Sequence, residues 1–241
     1  QGYRNLRDLV QKGEPLTAGD KVYYMYNEKL MVLYHIGKEP LEAGMNILGA
    51  HIDSPRMDVK QNPLYENGGF AYLDTHYYGG IKKYQWVTLP LAIHGVVVRK
   101  DGSRVNISVG EKDTDPVFTV SDLLIHLSRE QLTKTASKVV EGESLDILVG
   151  SIPQGETDSE EEKKEKKDTI TANICRILEE EYGFEEEDFI SAELEVVPAG
   201  KTRELGFDRS MIIGYGQDDR ICAFTSLMAF LDEDETPKRK F

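Results

Sequence analysis

His51 and Asp53 stand one residue apart in Gly49-Ala50-His51-Ile52-Asp53-Ser54-Pro55, and Asp218 and Asp219 are adjacent in Gly216-Gln217-Asp218-Asp219-Arg220. A histidine two residues from a carboxylate can bind a metal through one ring nitrogen while an acid orients the ring through the other, as metal-bound histidines ordinarily require. A carboxylate set between two divalent cations offsets their mutual repulsion, and Asp218 suits that task if another segment brings further ligands. Each pair also has a plainer reading. His51 can be a partly buried histidine held by Asp53 in a strand-end turn, and either aspartate can cap the helix that follows. The other histidines offer less: His35 and His94 lie in strand patterns, His76 lies in an aromatic run, and the chain has no His-x-x-x-His pair. It also has no G-x-S-x-G elbow and no Gly-rich loop ending in Lys-Ser/Thr, so a serine hydrolase or P-loop enzyme has no local support.

Both acidic pairs follow apolar runs. Residues 45–50 predict a buried strand that delivers His51 and Asp53 at its carboxyl end. Residues 211–215 predict a second buried strand, then a polar turn and an apolar helix over 221–231, the order of an α/β layer. In open α/β sheets ligands gather outside the carboxyl ends of strands, so the two groups would share one place. Upstream, the β-prone runs within 21–36 flank Asn27-Glu28-Lys29, the spacing of a hairpin with a three-residue loop. Beyond Gly79-Gly80 the pattern turns β-rich: a long stretch over 86–99, an Asp101-Gly102 turn, and an alternating partner over 104–109. Ser121 or Asp122 can cap a helix carrying Leu123, Leu124 and Leu127, and residues 145–149 read as a strand. Asp168-Thr169 caps a clearer helix through Ile170, Ile174, Ile177 and Tyr182 to Gly183, and residues 189–197 alternate as a half-buried strand. The fold expected is α/β with mixed sheets. Residues 1–80 and 214–241 would form one discontinuous unit, interrupted by a β-rich insertion over 81–213.

With 241 residues, 39% hydrophobic and 30% charged, the chain can bury one or two ordinary cores. No apolar run approaches the roughly 18 residues of a membrane span, and the first residues do not read as a secretory leader, so the expectation is a soluble cytoplasmic protein without a membrane partner. Cys175 and Cys222 sit in helix-like apolar patterns and read as small buried hydrophobes in a reducing compartment. The formal net charge is −14, and residues 156–168 and 179–188 supply most of that acidity. Residues 152–168 read as an exposed loop of low complexity. Nucleic acid is disfavoured as a partner, since no basic patch with interleaved aromatics is present. The chain stops at Pro237-Lys238-Arg239-Lys240-Phe241, where a further strand is expected, and so reads as an incomplete portion of a longer protein.

Taken together, the His51 segment through Arg56, the Tyr78-Gly79-Gly80 turn, Leu124-Ile125-His126-Leu127 and Gly216-Gln217-Asp218-Asp219-Arg220 resemble the aspartyl aminopeptidase and vacuolar aminopeptidase I family of dizinc metallopeptidases. The resemblance covers essentially the whole chain. It implies a metallopeptidase catalytic domain interrupted by an inserted β-rich dimerisation domain. It further implies that His51 binds one zinc ion, that Asp53 orients His51, and that Asp218 bridges two Zn2+ ions, with Asp219 a neighbour only. Co2+ or Mn2+ would also suit these ligands. His126, on a helix of the inserted domain, would reach the active site of an adjoining subunit in a large homo-oligomer and stabilise the reacting oxyanion; packing on its own helix is the other reading. The implied reaction is removal of the N-terminal residue from a peptide substrate. The family's Glu-Glu pair, further Asp and final His lie beyond this chain, and residues 232–235 read instead as a charged turn. Two rivals remain: a non-catalytic oligomeric scaffold with a relic metal half-site, and deacylation of a small amide.

Overall fold

The computed structural model describes residues 2–154, 169–233 and 235–240. The chain divides into two compact units, Gln1–Asp53 with Gly216–Phe241, and Ser54–Tyr215.

In the first unit β1 (Arg4–Asn5) runs into α1 (Leu6–Lys12), which Asn5 caps and which Gly13 ends in the left-handed conformation. β2 (Lys21–Tyr26) and β3 (Leu30–His35) pair antiparallel around residues 27–29, as the sequence predicts, and β1 adds parallel to β2. The turn closes because Asn27 and Glu28 adopt φ of 49° and 59°. Leu9, Val22 and His35 are buried here. The strand predicted over residues 45–50 does not form. Met45 makes one bridge to Lys240 and Asn46 donates to the Lys240 carbonyl at 2.9 Å, after which the chain is irregular and Ile47 is 82% exposed. An apolar run becomes a strand only where a neighbour offers a hydrogen-bonding edge, and residues 47–50 lie in no ladder.

In the second unit β4 (Arg56–Asn67) and β5 (Phe70–Tyr78) form a hairpin turned at Gly68-Gly69, whose φ values of 59° and 82° suit a tight two-residue loop. β6 (Leu91–Val98) and β7 (Arg104–Val109) pair around Asp101-Gly102 as predicted, and β8 (Ile147–Gly150) and β9 (Ala192–Pro198) complete an antiparallel sheet of order β7-β6-β9-β4-β5-β8. One face buries Met57, Trp86, Leu91, Ile147 and Val196, with Phe189 set edge-on to Phe184 at 5.4 Å. α2 (Ile170–Ile177) starts where Thr169 Oγ1 accepts from the Ala172 amide at 3.1 Å, widens through Leu178–Tyr182, and stops at Gly183.

Several expectations change in this unit. The β4–β5 hairpin belongs to it because β4 pairs with β9 and β5 with β8. The boundaries therefore fall after Asp53 and after Tyr215, not at 80/81 and 213/214. Residues 121–124 are irregular and residues 125–127 form a turn, not a helix. Leu124, Ile125 and Leu127 are 66–70% exposed, so no packing offsets the cost of nucleating so short a helix. β10 (Arg203–Leu205) and β11 (Met211–Ile213) form a two-stranded ribbon whose second strand is exposed, not buried. The expected loop over 152–168 lies largely outside the described residues. α3 (Gln217–Leu231) returns the chain to the first unit. Both cysteines are free, and Cys222 on α3 is exposed where a buried thiol is expected from sequence. No helix among the described residues is long and apolar enough to cross a membrane.

Candidate metal centre

Gly216, at φ 83°, opens α3 without any side-chain cap, so neither aspartate serves the capping role. Asp218 departs from helical geometry at φ −87°, ψ 114°, and the Asp218–Asp219 peptide bond is cis. Arg220 Nε donates to the Ile52 carbonyl at 3.4 Å, tying the start of α3 to the His51-Ile52-Asp53 turn. At that junction His51 Nδ1 lies 2.8 Å from Asp53 Oδ1, and Nε2 lies 2.6 Å from Asp219 Oδ2. One imidazole is thus held between two carboxylates. The His51 side chain is 64% exposed, so the cluster stays open to solvent.

The charges at this junction are unbalanced. The Asp53 hydrogen bond, followed by the Asp219 charge, holds the His51 imidazole above the ordinary histidine value. Asp219 is raised as well, first by a hydrogen bond with the Asp218 side chain and then by loss of hydration, and the nearby imidazole only partly offsets this. Two carboxyl groups in contact share a proton because their charges repel. Three carboxylates around one imidazole carry surplus negative charge that a proton or a cation relieves. The imidazole nitrogen and carboxylate oxygens are the donor set that zinc accepts, so the chemistry of these residues fits the ion. Among the described residues, however, no three or more His, Cys, Asp or Glu side chains converge as an ion would need.

The structure therefore joins His51 to Asp53 as the spacing implies, and brings Asp218 to the same junction through Asp219. The group touching Nε2 is Asp219, which sequence reasoning sets aside as a bystander. The adjacent acids were a signal for it, since like charges side by side call for a compensating group. Arg220, in the sequence only the end of the 216–220 motif, acquires its positioning contact with the Ile52 carbonyl in the fold. His126 lies in the second unit on the exposed 125–127 turn, not on a helix.

The family description "Aminopeptidase I zinc metalloprotease (M18)" matches residues 1–240. A probable M18 family aminopeptidase 1 from Clostridium acetobutylicum is 63% identical over 237 residues, covering 98% of this chain and 50% of its own length. The crystal structure of aminopeptidase I from Clostridium acetobutylicum matches with TM-score 0.86 at 60% identity, over 99% of this chain and 51% of that one. A dodecamer of mApe1 from S. cerevisiae matches with TM-score 0.61 at 19% identity over 92% of this chain and 48% of that one, a likeness of fold alone. The chain spans about half the length of the curated relatives it matches. By the extent of these matches, it belongs to the aminopeptidase I zinc metalloprotease (M18) family.

Proposed function

We propose that this chain supplies part of the active site of a two-metal aminopeptidase, which removes the N-terminal residue from peptides. The observation that carries the reading is the His51 imidazole gripped by Asp53 and Asp219, with Asp218 against Asp219. In it His51 and Asp218 would hold the divalent ions; zinc is the natural occupant, with cobalt or manganese admissible. Such ions, when bound, polarise a carbonyl and lower the pKa of water.

The chain's own residues act before that chemistry. Asp53 accepts the Nδ1 proton of His51, which fixes the tautomer and the ring plane and leaves Nε2 as the outward lone pair. In the cation-free arrangement Nε2 holds a proton against Asp219. Loss of that proton frees the nitrogen and Asp219 together. His126 is assigned to the active site of a neighbouring subunit in a large homo-oligomer, where it donates a hydrogen bond to the oxyanion. Its neighbours Leu124 and Leu127, each 70% exposed, favour an interface at that turn. The β-rich unit is assigned to assembly of the oligomer.

The test uses the polypeptide at the relatives' full length. It should cleave a chromogenic dipeptide with a free α-amine and reject the N-acetylated form. His51→Ala should lower kcat/KM by more than about 100-fold with circular dichroism unchanged, since loss of a ligand exceeds the usual cost of losing an orienting partner. Cleavage of only the acetylated substrate would favour amide deacylation, and full activity in His51→Ala would contradict the assignment.

A further inference from the structure

The loop that carries His126 leaves the core of its unit at Val120 and rejoins it at Val140, which are 2% and 8% exposed. Among the described residues of 121–138 Ser128 alone is buried, so burial leaves most of this excursion without a fixed position. Hydrogen bonds hold it instead, and they begin at its neck. The Gln131 side-chain Nε2 donates to Asp122 Oδ1 at 2.8 Å and to the Val139 carbonyl at 3.3 Å. Each N–H of one half-buried carboxamide thus serves an oxygen at the point where the loop departs or returns. Asp122 Oδ1 also accepts from the Leu123 amide at 2.8 Å, which fixes that carboxylate. From Gln131 the contacts lead on to His126. Gln131 opens the helical turn Gln131–Thr133, in which the Leu132 amide donates to the Ser128 carbonyl at 2.9 Å. Ser128 Oγ donates to the carbonyl of Ile125, the residue before His126, at 3.0 Å. The Leu127 amide then closes the His126 turn on the Leu124 carbonyl at 2.8 Å.

We propose that Gln131, acting through Ser128, is the positioning residue that fixes the turn bearing His126 and so sets where its imidazole reaches. A surface loop whose ends are held together is a compact unit, the form in which loops often carry function. An open loop loses conformational entropy on reaching any single position. The catalytic half of the inference rests on the assignment of His126 to a neighbouring active site; the claim that Gln131 holds the turn does not. A donor aimed at a developing oxyanion acts only from a fixed place, and a displacement of about 1 Å costs roughly 100-fold in rate. The Lys134–Glu141 ion pair also spans the base of the loop, but at 3.8 Å between exposed side chains it is screened and contributes little. The Gln131 bond to Asp122 is shorter and its donor is half-buried.

The test compares Gln131→Met, Gln131→Lys and His126→Ala in the polypeptide at the relatives' full length, with circular dichroism checking the fold. Methionine keeps the length and removes the donor; lysine restores one. Gln131→Met should speed hydrogen exchange at the Leu127 and Leu132 amides at least about tenfold, with exchange in β4 and β5 unchanged. It should lower kcat by about 10–100-fold. KM should stay within about twofold, because the lost interaction is made only in the transition state. Gln131→Lys should return both readouts to within about threefold of the parent. Added to His126→Ala, Gln131→Met should lower kcat by less than about twofold further, since both act through one imidazole. Unchanged exchange at Leu127 and Leu132 in Gln131→Met would overturn the proposal. So would an unchanged kcat in Gln131→Met beside a large loss in His126→Ala, and an equal loss with and without His126 would mark the effect as merely structural and overturn it too. Full activity in His126→Ala would instead remove the role assigned to His126, and exchange would still decide whether Gln131 holds the turn. Should Gln131→Met not fold, Asp122→Ala, which removes the acceptor of the same neck bond, carries the same expectations.

Discussion

In the proposed site Asp53, Asp218 and Asp219 have three different roles around His51, and single substitutions separate them. Asp53 touches Nδ1, so Asp53→Asn should weaken zinc binding by about 10–100-fold in competition with a chelator, a smaller loss than in His51→Ala. Asp219 holds Nε2 without a cation present, while Asp218 is the assigned ligand. Asp219→Asn should therefore retain metal and Asp218→Asn should lose it; the reverse order would exchange their roles. The spacing of His51 and Asp53 was readable because one intervening residue constrains where two short side chains can meet. The Asp219 contact was not readable, because adjacency in sequence does not fix which side chain faces a distant imidazole. A second histidine, His35, is buried between β2 and the C-terminal segment, and desolvation followed by the Lys21 charge holds its pKa below the ordinary value. The fold stabilises the neutral ring, so this contribution is complete above the unfolded value of about 6.5 and is lost as pH falls through the lowered folded value. His35→Gln should flatten the fall in Tm between about pH 7 and pH 5, and an equally steep fall in the variant would contradict that source.

Turn chemistry made some elements legible and left others obscure. The β2–β3 and β6–β7 hairpins follow from short polar loops between β-prone runs, and α2 follows from Thr169 at its start and Gly183 at its end. The apolar runs at 45–50 and 211–215 predict buried strands, yet the first forms no strand and the second pairs only over 211–213 and is exposed, because apolar composition records a need for burial but not which segment meets it. Residues 121–127 combine a capping residue with leucines, yet their side chains are exposed, so burial does not hold a helix there. Gly95 shows a constraint invisible to pattern: in β6, at φ 148°, an added Cβ would stand 1.9 Å from the Glu193 carbonyl oxygen across the β9 ladder. Gly95→Ala should cost about 3 kcal/mol or more, the range of severe overpacking. Denaturant unfolding followed by fluorescence of Trp86, the one tryptophan and a core residue, measures this directly. A loss under about 0.5 kcal/mol would show that the β6–β9 pairing yields easily.

At the scale of the molecule, the proposed division of labour is spatial. The first unit carries the acidic junction at the foot of α3, and the second carries a continuous antiparallel sheet with its own core and the exposed turn bearing His126. Sequence character alone put the first boundary near residue 80, because Gly79-Gly80 marks a change of composition, while strand pairing puts it after Asp53. Hydrogen-bond partners define a unit, and these cannot be read from a local change in residue types. Crystals of the full-length polypeptide grown with zinc, with diffraction recorded across the zinc absorption edge, would locate any bound ion. The prediction is an anomalous peak about 2.0–2.2 Å from both His51 Nε2 and an Asp218 carboxylate oxygen, with a second peak on the other Asp218 oxygen. Zinc bound elsewhere while His51 Nε2 stays on Asp219 would contradict it.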